Sequence, residues 1–340
     1  MGIKMKVSLL GAGSWGTALA VLLANNQHEV CLWSALEQEV TLLKTTREHA
    51  DRLPGVILPS NITVTDSLEE ACRNQDLIVF SVASPYVRQT ARQAAPLIPK
   101  GQLIVNVAKG IEEATLYTLS DVLKEELPET RITVLSGPSH AEEVSRGIPT
   151  TVVVGADSKK DAYLVQDVFM NERFRVYTSP DVIGIELGGS LKNVMALAAG
   201  IVEGIGFGDN TKAALMTRGI AEMSRLGIAM GGKIESFIGL SGVGDLIVTC
   251  TSQHSRNRSA GYLMGKGCTM KEAMEEVKQI VEGVYSAKAA LALARKYDIS
   301  MPIVEQINKV LFEDKPVADA VNELLTRDKR REYTDLEWKN

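Results

Sequence analysis

Apolar residues recur along this chain in two different rhythms, and the change of rhythm near residue 180 is its strongest structural signal. Up to about Thr178, short runs rich in Val, Ile and Leu alternate with amphipathic stretches, the pattern of a parallel sheet covered by helices. The runs predict strands at 7–10, 30–33, 62–65, 77–81, 103–107, 132–136, 151–154 and 175–178. Helices are predicted at 16–25, 85–95 and 159–170, with Asp66 and Ser67 suited to capping a short one. After Pro180 the strand signals stop, and segments rich in Ala, Leu, Met, Glu and Lys recur at helical spacing. Thr269 with Glu272 forms a capping box, Pro302 suits the first turn of a helix toward Phe312, and the glycines from Gly200 to Gly208 read as a loop or an interrupted helix.

At 340 residues the chain exceeds what one ordinary core serves, so two domains are expected, residues 1–180 and 181–340. Hydrophobic residues make up 45% and charged residues 23%, ordinary globular values, and no apolar run approaches the ~20 residues needed to span a bilayer. The opening MGIKMKVSLLGAG runs straight into a glycine turn and leaves no room for a signal peptide, so a soluble, cytoplasmic protein without membrane insertion is expected. A net charge of -5 and a pI near 5.6 provide no field for nucleic acid, and the one basic run, 327–331, reads as a solvated face. Cys31, Cys72, Cys250 and Cys268 lack CxxC spacing and the four histidines lack ligand spacing, so neither a redox pair nor a metal site is expected.

Chemistry enters with Gly11-Ala12-Gly13-Ser14-Trp15-Gly16, which follows the first strand and opens a helix. In that context Gly11 permits a tight turn, Gly13 lets backbone approach a pyrophosphate, and Gly16 allows close packing of helix on strand at a positive helix end. The fold class is therefore an α/β N-terminal Rossmann-like domain with a mostly parallel sheet, followed by an all-α C-terminal domain. The second strand ends in Trp33-Ser34-Ala35 without the acid that would grip an adenosine ribose, and no arginine follows immediately. Lys44, Arg47 and Arg52 are the nearest cations, and a solvated helix face is the expectation for them; NADH and NADPH both remain as cofactors.

Lys109, just past the fifth strand, and Ser139, in the turn after the sixth, lie at the carboxyl edge where open parallel sheets bind ligands. Lys192 has Gly188 and Gly189 three and four residues before it, which leaves a groove beside its ammonium. Burial and a second cation such as Lys109 would lower its pKa toward neutrality, as ketone reduction requires; the alternative is close helix packing at the glycines with Lys192 snorkelling outward. Arg256 can take a phosphate bidentately with Asn257 adding donors, and Asp245 either orients Lys192 or a substrate hydroxyl or caps its loop.

Taken together, GAGSWGTALA, VAKG, LSGPSHAEEV, ELGGSLKNV, GIGFGDNTKAALMTRG, GVGDLIVTCTSQHSRNR and IVEG resemble, in order and spacing over nearly the whole chain, the bacterial type of NAD(P)-dependent glycerol-3-phosphate dehydrogenase. The resemblance implies reversible reduction of dihydroxyacetone phosphate, a small phosphorylated substrate, to sn-glycerol 3-phosphate for phospholipid synthesis, with a homodimer as the expected assembly. It implies Lys192 as proton donor and acceptor and Lys109 as a second lysine contacting cofactor and substrate. Gly137, Ser139, Asp245, Ser255, Arg256 and Asn257 match substrate contacts, and Ser14, Trp15, Ala141, Arg256, Ile280 and Glu282 match cofactor contacts. His140 stands where the family usually has an aromatic residue, and Ser190 stands where it usually has alanine. Two other readings stay open: a dehydrogenase for another hydroxy acid or sugar acid on the same plan, and a dinucleotide-sensing regulator in which Lys192 is dispensable.

Overall fold

A computed structural model of the chain describes residues 4–329, 331–332 and 338; the basic run at 327–331 falls partly outside them, at Arg330. Eight strands form one sheet: β1 (Lys6–Leu10), β2 (Glu29–Trp33), β3 (Ile62–Thr65), β4 (Leu77–Phe80), β5 (Leu103–Asn106), β6 (Arg131–Ser136), β7 (Thr150–Ala156) and β8 (Phe174–Ser179). They match the eight apolar runs to within about two residues at each end. Their order is β3-β2-β1-β4-β5-β6-β7-β8. All pairs are parallel except β6 with β7, so the sheet is mostly and not wholly parallel. The central strands β4 and β5 are buried at every position, because helices cover both faces.

Those helices are α1 (Ser14–Asn25), α2 (Glu37–Thr46), α3 (Leu68–Cys72), α4 (Val87–Ala94), α5 (Leu119–Glu126), α6 (Ala141–Val144) and α7 (Lys159–Phe169). Ser67 caps α3, accepting from the Glu70 N–H, as its side chain suggested. From Val182 onward every element among the described residues is helical: α8 (Val182–Ile205), α9 (Asp209–Ala229), α10 (Ile234–Ile238), a π-helical turn (Leu240–Gly244), α11 (Asp245–Thr251), α12 (Arg256–Gly265), α13 (Met270–Val277), α14 (Glu282–Lys296), α15 (Pro302–Phe312) and α16 (Val317–Leu325). The capping box at Thr269 and Glu272 starts α13, and Pro302 opens α15.

α8 is the axis of the helical part. It is apolar almost all round, and α9, α11, α12 and α14 pack round it. Its length and hydropathy reach those of a bilayer span, against the reading that no apolar stretch comes near, but 94% of its most apolar stretch is buried inside the protein. The expected break between Gly200 and Gly208 is also narrower than read. Gly200 and Gly204 lie inside α8, and the chain turns only at Gly206, whose φ is 96°. Gly200 and Gly204 face Gly261 and Gly265 of α12 so closely that a Cβ on Gly200 would lie 2.0 Å from the Arg258 carbonyl oxygen, and one on Gly261 2.1 Å from that of Leu197. The two helices therefore touch backbone to backbone.

Candidate active site

The carboxyl ends of β1, β4, β5 and β6 open into a cleft of about 840 Å³ whose far wall is built by α8, α11, α12 and α14. Such a position, where the strand order reverses between β1 and β4, is where open α/β sheets bind ligands.

On the sheet side the three glycines of the first turn divide their work as their spacing suggested. Gly11 has φ 123°, and a Cβ there would lie 2.6 Å from the Val82 nitrogen; a Cβ on Gly16 would lie 1.9 Å from the Gly11 carbonyl oxygen. Gly13 faces open space, so nothing obstructs a pyrophosphate at the N-terminus of α1. Trp15 lines the same wall, and its indole N–H is buried without a protein partner. Ser14 lines it too, with its hydroxyl donated to the Arg52 carbonyl (2.9 Å). These features fit a dinucleotide.

At the end of β2 the residues do more than the sequence reading gave them. Arg52 is not on a solvated helix face: it lines the cleft and its Nε lies 3.3 Å from Glu39, which also bonds Ser34 and His49. Arg47 holds the Pro59 and Ile62 carbonyls at 2.5 and 2.9 Å, and only Lys44 lies exposed on α2.

The helical side carries the charges. Lys192, on α8, is 6% exposed, so it does not snorkel outward. Its Nζ donates to Asp245 Oδ1 (2.6 Å) and to Thr249 Oγ1 (2.7 Å). Lys109 arrives from the loop after β5 and donates to Asp245 Oδ2 (2.6 Å) and the Gly137 carbonyl (3.0 Å). One carboxylate thus serves two ammonium groups, and the cluster keeps a net positive charge. Burial pulls Lys192 down to about 8; Asp245 resists the fall and Lys109 adds to it. Burial pushes Asp245 up, yet the two lysine charges override it and leave its carboxyl below the usual range. Asp245 is only 1% exposed and both its oxygens are taken, so it stands behind the lysines and not in the cleft.

The glycines before Lys192 make room in two directions. A Cβ on Gly188 would strike the Ser241 carbonyl oxygen at 2.7 Å, and one on Gly189 would strike Ser136 Oγ at 2.7 Å. Gly137 has φ 139° and spends its carbonyl on Lys109 and on the Ser139 hydroxyl (2.9 Å).

Ser255 caps α12, its hydroxyl accepting from the Arg258 N–H, which leaves the Arg256 and Asn257 amides as the first two of the helix without an intrahelical acceptor. Arg256 lines the cleft beside them. Asn257 lines the cleft too, with one side-chain N–H donated to Asn193 Oδ1 (3.0 Å) and its Oδ1 accepting from the Gly283 N–H (2.8 Å). Ala141, Ile280 and Glu282 also line the cleft, and Glu282 crosses it to bond the Ser84 amide (3.2 Å) and hydroxyl. Burial raises the Glu282 carboxyl, with Ser84 opposing. Residue-by-residue reading missed Thr249 and Asn193; the four-residue spacing of Asp245 and Thr249 on one helix could have found the first. His140 lies in the cleft with its ring centroid 5.8 Å from that of His254, and burial followed by the Lys192 charge lowers its pKa.

Set beside known proteins, residues 6–162 match the family model of the NAD-dependent glycerol-3-phosphate dehydrogenase N-terminus, and residues 181–322 that of its C-terminus. The chain is 61% identical over 334 residues to the glycerol-3-phosphate dehydrogenase [NAD(P)+] of Agathobacter rectalis, covering 98% of this chain and 99% of that one. It is 55% identical to the enzyme of the same name from Fusobacterium nucleatum, over 96% and 98% of the two chains. Its structure superposes on the crystal structure of glycerol-3-phosphate dehydrogenase from Coxiella burnetii with a TM-score of 0.93, at 38% identity over 95% and 99% of the chains.

Proposed function

We propose a division of labour among the cleft residues from the premise that the chain belongs to the NAD-dependent glycerol-3-phosphate dehydrogenase family. The protein is an oxidoreductase that reduces dihydroxyacetone phosphate reversibly to sn-glycerol 3-phosphate with NADH or NADPH, the step that feeds glycerophospholipid synthesis. In our reading residues 1–180 form the dinucleotide-binding domain and 181–340 the substrate-binding and catalytic one, and the enzyme works as a homodimer in the cytoplasm.

Gly11, Gly13, Ser14, Trp15 and Gly16 hold the cofactor's pyrophosphate end, supported by the open space at Gly13 and the unpartnered Trp15 indole. Ala141, Ile280, Glu282 and Lys109 border the rest of it. When bound, the reduced nicotinamide supplies a hydride to the substrate C2. Lys192 gives its proton to the carbonyl oxygen as negative charge develops there, and Lys109 stabilises the same charge. Asp245 keeps both ammonium groups converged, a role that follows from its two 2.6 Å bonds and not from contact with substrate. The phosphate sits on Arg256 and the free amides at the start of α12, with Ser255 shaping that helix end, Ser139 lining the same cleft and Gly137 holding Ser139 and Lys109 through its carbonyl. Holding the phosphate remotely orients the carbonyl.

The observation that carries this reading is one buried carboxylate shared by two lysines from the two halves of the chain, behind the wall of a dinucleotide cleft. Its test is NADH and NADPH oxidation with dihydroxyacetone phosphate against unphosphorylated dihydroxyacetone. Turnover confined to the phosphorylated ketone is expected. In Arg256→Ala the substrate KM should rise by about 10- to 100-fold with cofactor binding kept; an unchanged KM sinks the phosphate assignment.

A further inference from the structure

A second buried carboxylate, on α8, reaches into the sheet-bearing half. Glu186 is 6% exposed, and its Oε1 accepts from Asn106 Nδ2 (3.3 Å) and from the Ser120 N–H (2.9 Å) near the start of α5. Asn106 ends β5 and folds over the next turn, donating to the Ala108 carbonyl (3.2 Å) and accepting from the Ala108 N–H (3.1 Å). Lys109 is the next residue. A neighbour on the same helical face holds the same loop: the Ser190 hydroxyl donates to the Gly110 carbonyl (3.0 Å). An apolar side chain would fill the place of Glu186 without the cost of burying a carboxyl, but would leave both donors unpaired. We propose that Glu186 is a positioning residue that clamps the turn at 106–108 and thereby fixes Lys109 against Asp245 and beside Lys192.

Burial pushes Glu186 up to about 7, with the nearby Asp121 charge adding to the rise and Thr118 and Ser120 opposing it. Its action on the chemistry runs through Lys109. Where Lys109 stands, its charge helps hold Lys192 down; where it drifts, Lys192 keeps Asp245 to itself and titrates at higher pH. The other groups facing Lys192, namely Asp245, Thr249, Cys250 and His140, are untouched by a change at residue 186.

The kinetic arm of the test rests on the functional reading above; a second arm does not. Glu186→Ala, Glu186→Gln and Lys109→Ala are compared with the wild type for kcat/KM on dihydroxyacetone phosphate. The Lys192 titration is followed by NMR of lysine labelled with 13C at Cε, without substrate. Expected for Glu186→Ala are a fall of about 10- to 100-fold in kcat/KM and an upward move of the Lys192 titration in the direction seen for Lys109→Ala. Glu186→Gln keeps an acceptor for Asn106 and Ser120 and recovers most of both. A Glu186→Ala protein with a lower Tm but wild-type kcat/KM and Lys192 titration overturns the proposal, and so does Glu186→Gln as impaired as Glu186→Ala. A wild type inert toward dihydroxyacetone phosphate would strike the functional reading, while the titration still decides this one.

Discussion

Of the carboxylates buried in the helical half, Asp245 and Glu222 stand on opposite sides of the line between chemistry and architecture. Asp245 meets two ammonium groups and its carboxyl is held below the usual range. Glu222 meets backbone amides, those of Ile303 (3.0 and 3.1 Å) and Val304 (3.4 Å) at the start of α15, and burial pushes it up to about 7 against those amides. Equal burial, then, says little about role; partners do. A carboxylate facing helix amides fastens a helix, whereas one facing two cations stores a surplus of positive charge beside a cleft.

Four experiments press on that contrast. Lys192→Ala removes the proton donor and should cost roughly 10²–10⁴-fold in kcat, with cofactor affinity kept in a fluorescence titration; near-normal turnover would return the site to the sensor reading. In the wild type the same lysine sets the pH profile: dihydroxyacetone phosphate reduction should fall as pH rises above about 8, where the ammonium is lost, and glycerol 3-phosphate oxidation should rise through the same range.

Asp245→Asn leaves two facing ammonium groups without their anion. We expect kcat to drop by about 100-fold and urea unfolding to show a loss of about 3 kcal/mol. Retained activity in this variant would mean that the lysines converge without the carboxylate.

Glu222→Gln should spare kcat altogether. In the wild type the folded state keeps the Glu222 proton to higher pH than the unfolded chain, so the stability it contributes is lost as pH rises from about 4.5 through about 7. Glutamine does not titrate, so the variant's Tm should gain on the wild type by roughly 2–5 °C between pH 5 and pH 8. A drop in kcat comparable to that of Asp245→Asn would erase the contrast.

How much of this was written legibly in the sequence depends on how far apart the cooperating residues lie. All eight strands could be read, since each is a short β-branched run between turn residues, and the glycine turn could be read because its three positions are adjacent in the chain. The reversed direction of β7 could not, because an apolar run looks the same from either end. Lys192 was legible from its two glycines, but its pairing with Asp245 spans 53 residues and that of Lys109 spans 136, and no local spacing encodes either. Asn257 shows the same limit: read alone it is a donor, and only the fold shows that its side chain also bonds Asn193 and the Gly283 N–H.

The glycine seam between α8 and α12 gives the site a further property. Lys192 rides on one of these helices and Arg256 opens the other, and where the helices cross, main chain rests on main chain with no side chain between to compress or repack. In the reading proposed above, this close contact sets the distance between the backbone that carries the proton donor and the helix end that takes the phosphate. A ligand that reaches both is gauged as well as gripped. On that assignment its carbonyl and its phosphate should lie a set number of bonds apart, and a homologue one carbon longer should fit less well.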